Sequence, residues 1–299
     1  MGIRKFISRV NNVRANISDV LSMNRRNLSY IYPNNERCDY PLADNKLETK
    51  KILQKLKVPH PETYQAYKYF YELSSLGNDL HELEDFVIKP ASGSGGSGIK
   101  VLVNKVENGW LDTSGVLNKA DAIRDQISDI IFGVYSFDLH DAAIVEQRII
   151  QHKDIQQISN YGLADVRIIT YQHEPVLAML RVPTSDSQGK SNLHQGAIGV
   201  GVDTKSGTTN NAIQKNRQIH AHPDSGYELA GIHLPDWKEM VSMCKHVAKN
   251  IPLKYLGFDI GISVHGPVVL ELNVRPGIEI QNANAMGMRR ILESGTGNQ

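Results

Sequence analysis

Cysteine is nearly missing from this sequence: Cys38 and Cys244 are its only two, far apart and outside any CxxC pattern. That speaks against a disulfide framework or a zinc–thiolate centre and suits a reducing compartment. No apolar run approaches the roughly 18 residues that a membrane-spanning helix needs. The opening, MGIRKFISRVNNVRANISDVL, is basic but lacks a continuous apolar core of secretory length. An excess of either charge is missing as well. Here 33 basic against 32 acidic residues leave +1, which argues against a dedicated nucleic-acid binder. The 11 histidines include no HExxH and no set at zinc spacing, and no Ser–His or Cys–His arrangement suggests a covalent nucleophile. What remains reads as a soluble, cytoplasmic protein of ordinary composition, 40% apolar and 22% charged. Its length allows one large domain or two modest lobes.

Charge is uneven along the chain, however. Residues 1–37 carry Arg4, Lys5, Arg9, Arg14, Arg25, Arg26 and Arg37 against Asp19 and Glu36. The plain reading is a solvated amphipathic helix; the alternative is a docking surface for an acidic partner or an anionic substrate.

The middle of the chain mixes helical and strand patterns. Asn45 can cap a helix whose Glu48 completes a capping box, with Leu47, Ile52, Leu53 and Leu56 as an apolar face before Val58-Pro59. A tyrosine-rich helix is expected from Pro61 to near Gly77. Ile123, Ile127, Ile130 and Ile131 give helical periodicity over 118–132, and Asp236 with Glu239 offers a second capping box for a helix to about Asn250. Between them stand β-type runs at 86–90, 99–103, 142–149, 165–171, 175–182, 197–203, 257–264 and 267–274. Several are joined by brief turns, as in antiparallel hairpins, so the pattern is α+β. The stretches 184–196 and 204–235 read as loops.

Gly93, Gly95 and Gly98 in GSGGSG satisfy G-x-G-x-x-G, a weak pattern alone. A Rossmann loop must lead from a strand into a helix, and a Walker A loop needs a following Gly-Lys-Ser/Thr. Neither condition is met, because the loop joins FVIKP to IKVLV. A strand–glycine–strand flap can fold over phosphates and offer them backbone N–H groups; a flexible hairpin tip is the plain alternative. Lys89, on the entering strand, suits a phosphate as a point charge.

The segment GFDIGISVHGPVVLELNVRPG at 257–277 is the most informative. Glu271 and Asn273 are two apart on a strand and share a face. Asp259 lies on the preceding strand. Two carboxylates and an amide oxygen are hard ligands suited to magnesium, with nucleotide phosphates completing the shell. If His265-Gly266 were a two-residue turn, Asp259 would face away from the other two. A three-residue turn or a bulge is therefore expected.

Protein kinases and ATP-grasp enzymes both place such a flap over ATP, but no HRD-type or DFG-type motif is present. DNKLETKKIL, FVIKPASGSGGSGI, VEQRI, ADVRIITY, KSNLHQGA, GFDIG and ELNVRPG, in this order over roughly residues 44–290, resemble the ATP-grasp superfamily, and within it the RimK-type α-L-glutamate ligases. The resemblance implies two α+β lobes with ATP between them: a flap-bearing lobe at about 75–145 and a metal-bearing lobe at about 150–295, within a domain at 45–299. The usual preceding α/β domain would be absent or reduced to a basic helical arm at 1–44.

By the same resemblance, Lys46 and Lys89 contact ATP phosphates, with Ser94, Gly95, Gly96, Ser97 and Gly98 in the flap. Glu146, Gln147, Arg148 and Ile149 form the hinge that holds adenine, and Asp154 or Asp165 binds ribose or orients the site. Lys190, Ser191 and Asn192 line the acyl-phosphate site, with His194 beside them. Arg167 and Arg275 stabilise the acyl phosphate or grip a substrate carboxylate. Asp259, Glu271 and Asn273 hold a pair of magnesium ions, with manganese able to substitute.

The implied reaction is carboxylate–amine ligation through an acyl phosphate, on small-molecule or peptide substrates, adding glutamate or another amino acid. No nucleic acid and no membrane span are implied, and self-association stays open. Arg275 stands where the glutamate ligases carry a small residue, which leaves the substrates open. A small-molecule phosphotransferase and a non-catalytic nucleotide-binding module are the rivals.

Overall fold

The computed structural model describes residues 18–93, 95–158 and 161–295. Two antiparallel sheets organise it. The first runs in the order β1-β6-β2-β3-β4-β5, from β1 (Thr63–Tyr67), β2 (Phe86–Pro90), β3 (Lys100–Val106), β4 (Gly109–Asp112), β5 (Leu117–Asn118) and β6 (Ala143–Glu146). The second runs β11-β10-β9-β8-β7-β12-β13. Its strands are β7 (Asp165–Tyr171), β8 (Glu174–Val182), β9 (Ile198–Val202), β10 (Thr209–Gln214), β11 (Arg217–Ile219), β12 (Tyr255–Ser263) and β13 (Gly266–Asn273). Helix α1 (Lys46–Lys55) lies near both, α2 (Ala120–Ile131) packs on the first sheet and α3 (Trp237–Lys249) on the second.

Each sheet has its own core. Ile123, Ile127, Ile130 and Ile131 of α2 are fully buried beside Phe86, Ile88 and Trp110, at about 1.5–3 kcal/mol for each large aliphatic side chain. Met240, Met243, Cys244 and Val247 of α3 join Ile168, Leu180, Phe258 and Ile260 of the second sheet. Burial pushes the Cys244 thiol up, so it serves as a small apolar group.

Residues 18–44 belong to the second core. Gln281 brackets the backbone of Leu21 at 2.8 and 3.0 Å, and Asn35 brackets Tyr255 at 2.7 and 3.1 Å. Residues 1–17 of the expected basic arm lie outside the described residues. Among the described residues, no helix is long and apolar enough to cross a membrane.

Three local expectations need correction. The tyrosine-rich segment after Pro61 is edge strand β1 followed by a 3-10 turn at Phe70–Ser75. Tyr67 is buried in the first core with its hydroxyl 2.8 Å from Asp79, and the Glu72 carboxylate caps the turn by accepting from Lys68 and Tyr69 N–H. These β-favouring aromatics fit a half-buried edge. The segment 204–235 is not all loop, for it contains β10 and β11. Asp236 precedes α3, but its φ of +53° turns its side chain out of any cap, so the capping box does not form.

Candidate active site

The carboxylate face is set by one irregularity in the β12–β13 ladder. Ser263 pairs with Gly266, so the turn has two residues, Val264 and His265, and regular pairing continues to Ile260 opposite Val269. Left regular, the ladder would put Asp259 opposite Leu270. Instead the register shifts there, pairing Asp259 with Glu271 and Gly257 with Asn273. Leu270 is the extra residue of a bulge. The expected bulge is thus present, and the expected longer turn is not. Asn273 Nδ2 lies 3.3 Å from Asp259 Oδ2 and 3.4 Å from Glu271 Oε1, so the three groups converge. A half-turn of the Asn273 amide would present its oxygen to the same point.

Asp259 is also the centre of a buried ion-pair chain. Arg167, directly across on β7, donates to both its oxygens at 2.7 and 2.6 Å. Arg181 of β8 approaches Asp259 Oδ2 at 2.7 Å and holds Asp165 at 2.6 Å through both donors. Burial pushes the Asp259 carboxyl up, but the Arg167 and Arg181 guanidiniums outweigh it and hold Asp259 well below the usual carboxylate range. Asp165 is pushed up to about 6, by burial against the pull of Arg181.

Asp165 is thus paired with Arg181 through both of its oxygens. Arg167 is likewise held by Asp259. Arg181 escaped the sequence reading. Its only signal there is a lone charge in the apolar run PVLAMLRV.

The donor set can be tested for magnesium. Among the described residues, no group of three or more His, Cys, Asp or Glu is placed to hold a metal. Two carboxylates and an amide nevertheless meet at one point, and these oxygen donors fit a hard cation completed by phosphate oxygens. With Asp259 already balanced by two guanidiniums, Glu271 carries the uncommitted negative charge closest to Lys46.

Helix α1 reaches both sheets. Asn45 caps it by accepting from Leu47 and Glu48 N–H. Lys46 and Lys50, one turn apart, share a face. Lys46 donates to Gly93 O at 2.8 Å and lies 3.4 Å from Glu271 of β13. Lys50 lies 2.8 Å from Glu146 of β6, whose other oxygen is 2.6 Å from Lys89.

The flap lies against the segment after β8. Gly95 O accepts from Asn192 at 3.0 Å and from Gln195 at 3.2 Å, and a Cβ on Gly96 would meet Lys190. Gly95, Gly96 and Gly98 have φ of +67°, +77° and +74°, a region that favours glycine. Ser97 is exposed at the tip, and Ser94 lies outside the described residues. Ser191 instead donates to Leu163 O at 2.6 Å.

The remaining candidates are more scattered. Gln147 N–H donates to Glu62 O at 2.8 Å, so this hinge donor is taken by the chain before β1. Arg148 pairs with Asp85 at 2.6 Å, and Ile149 is half-buried. Asp154 is exposed near His152. Arg275 lies 3.9 Å from Asp44 and over the Tyr40 ring, turned to the N-terminal segment and not to Asp259. His194 is exposed, 3.2 Å from Glu279, while His222 is buried, its Nε2 donating to Pro183 O and its Nδ1 accepting from Asp224 N–H. A groove of about 690 Å³ runs between α1 and β1, past Asn45, Lys50, His60, Thr63, Ser92 and His140.

Comparison with known proteins adds the following. The family model described as sugar-transfer associated ATP-grasp matches residues 25–295. No curated protein matches the chain. Among solved structures, the ATP-grasp ligase PsnB, complexed with a minimal precursor, is similar at 15% identity and a TM-score of 0.46, covering 89% of this chain and 64% of that one. A RimK domain ATP-grasp protein from Sphaerobacter thermophilus is similar at 11% identity and 0.47, covering 85% and 67%. The D-alanyl-alanine synthetase A of Vibrio cholerae is similar at 11% and 0.48, covering 86% and 62%. The chain thus spans less than two thirds of the length of PsnB.

Proposed function

The chain belongs to the sugar-transfer associated ATP-grasp family, and on that premise we propose that it is an ATP- and magnesium-dependent ligase joining a carboxylate to an amine. The observation that carries this reading is the convergence of Asp259, Glu271 and Asn273 through the bulge at Leu270, facing Lys46 and the flap. The family description favours a sugar-bearing acid or amine; a peptide or amino-acid acceptor is the other option.

In this reading the substrate carboxylate attacks the γ-phosphorus of ATP and ADP leaves. The amine then displaces phosphate from the acyl phosphate, giving the amide. Magnesium, when bound, supplies charge neutralisation on the phosphates. Glu271, Asn273 and Asp259 would hold it, with Arg167 and Arg181 keeping the Asp259 carboxylate aimed. Lys46 and Lys89 place positive charge where negative charge gathers. The flap, tethered through Asn192 and Gln195, excludes water from the reactive anhydride. The two sheets would act as separate lobes of one domain, in the cytoplasm where ATP is supplied.

The test is ADP release from ATP with panels of sugar acids, amino acids and peptides, offered with and without an amine, and mass spectrometry of products. Release that requires both acid and amine, with an amide product, supports ligation. A phosphorylated sugar hydroxyl would favour phosphotransfer, which the family description also accommodates. Binding of ATP with no turnover on any panel would favour a nucleotide-binding module.

A further inference from the structure

A buried triad stands beside the candidate site, and its third member, Lys50, has no role in the readings above. Glu146, at the end of β6, is buried, as are Lys89 of β2 and Lys50 of α1. Lys89 Nζ lies 2.6 Å from Glu146 Oε1 and Lys50 Nζ lies 2.8 Å from Oε2. Lys50 gives its aligned hydrogen bond to the Pro61 carbonyl, which leaves Oε2 held by charge with no hydrogen bond of its own. Two lysines and one glutamate make a net charge of +1 in a place largely screened from water.

Without Lys50, Glu146 and Lys89 would neutralise each other, and Lys89 would present little net charge to an incoming phosphate. With Lys50 in place, Glu146 is shared and one positive charge is surplus. Burial makes that surplus count, because charges interact more strongly where the effective dielectric is low. The spacing of Lys46 and Lys50 assigns them different tasks, one to Glu271 and the flap, the other to Glu146.

We propose that Lys50 is a positioning residue that neutralises Glu146 and so sets Lys89 as the cationic receptor for a nucleotide phosphate. The proposal rests on the ATP-binding reading above.

The experiment measures binding of ADP with magnesium, and of adenosine, to the full chain by calorimetry. It compares the wild type with Lys50→Met, Lys50→Arg and the double variant Lys50→Met/Glu146→Gln. Lys50→Met should weaken ADP about tenfold, the loss of roughly one charge-assisted contact, and leave adenosine unchanged. Lys50→Arg should stay close to the wild type. The double variant, which again has a net charge of +1, should bind ADP more tightly than Lys50→Met does.

A purely structural role predicts equal losses for ADP and adenosine and no recovery in the double variant, and either result would overturn the proposal. So would ADP binding by Lys50→Met at wild-type strength. If Lys50→Met does not fold, the double variant carries the test, since it leaves no buried carboxylate unpaired. Wild-type protein that binds neither ADP nor ATP would remove the nucleotide reading itself. Wild-type binding with no response at Lys50 removes this proposal alone.

Discussion

The two sheets bring opposite charge to the candidate site and bury it differently. Beside the first sheet the charge is a compact cationic triad, Glu146 and Lys89 near the ends of short strands with Lys50 of α1 against them. In the second it is a network laid across four long strands, with Asp165, Arg181, Asp259 and Arg167 alternating in ion pairs and Glu271 beside Asp259. Nine residues of β12 are buried in succession, whereas the first sheet is bordered by exposed Tyr69, Phe70, Tyr71, Phe132 and Phe137. In the proposed reading, a polyphosphate between them would meet cations from one side and carboxylate and amide oxygens from the other.

The largest expected effect is on the second sheet. Arg181→Met would leave two buried carboxylates without their shared partner, at a cost of about 3–5 kcal/mol. Urea denaturation should show this as a large loss of stability. A variant as stable as the wild type would mean that the buried chain does not support the fold, and the contrast between the sheets would fail.

Lys89→Met should sharpen the same contrast from the other side. ATP affinity should fall roughly 10- to 100-fold, as for the loss of a charge-assisted contact, while circular dichroism stays unchanged. Unaltered affinity would remove Lys89 from the site.

These two residues also mark how far the sequence could be read. Lys89 is legible because a strand lysine before a glycine flap is a local pattern. Glu271 and Asn273 are legible because a spacing of two fixes a shared face. Arg181 is not, since its partners become visible only once β7 is known to lie between β8 and β12. The need for a bulge or a longer turn followed from alternation, but not its place at Leu270, which depends on the turn chosen at Val264–His265. β1 went unseen because five residues at a sheet edge give too little alternation to outweigh a tyrosine-rich helical reading. Lys50 carries no local signal, because only the fold brings its partner Glu146 beside it.

A smaller effect is expected at the flap. A Cβ on Gly98 would sit 2.7 Å from the Tyr135 ring at a φ of +74°. Gly98→Ala should raise the KM for ATP severalfold and cost about 1–2 kcal/mol locally. A wild-type KM would show that the flap does not close on the nucleotide.

The smallest effect concerns acid and the first sheet. Burial raises the Asp79 carboxyl, but hydrogen bonds from Ser75, Tyr67 and Gln65 outweigh it and hold it below its ordinary value. A depressed carboxyl contributes stability above its unfolded value, near ~3.9, and loses it as pH falls through the folded one. Thermal stability between pH ~6 and ~3 should therefore fall less steeply for Asp79→Asn than for the wild type. Parallel slopes would show that Asp79 does not couple the first sheet to pH.

The central claim is that the facing charges of the two sheets activate a carboxylate with ATP. Hydroxylamine tests it most directly, with the full chain, ATP, magnesium and panels of sugar acids, amino acids and peptides. A hydroxamate of the accepted acid is expected, formed in step with ADP and absent without ATP. Phosphate transfer to a hydroxyl, with no hydroxamate from any accepted substrate, would contradict it.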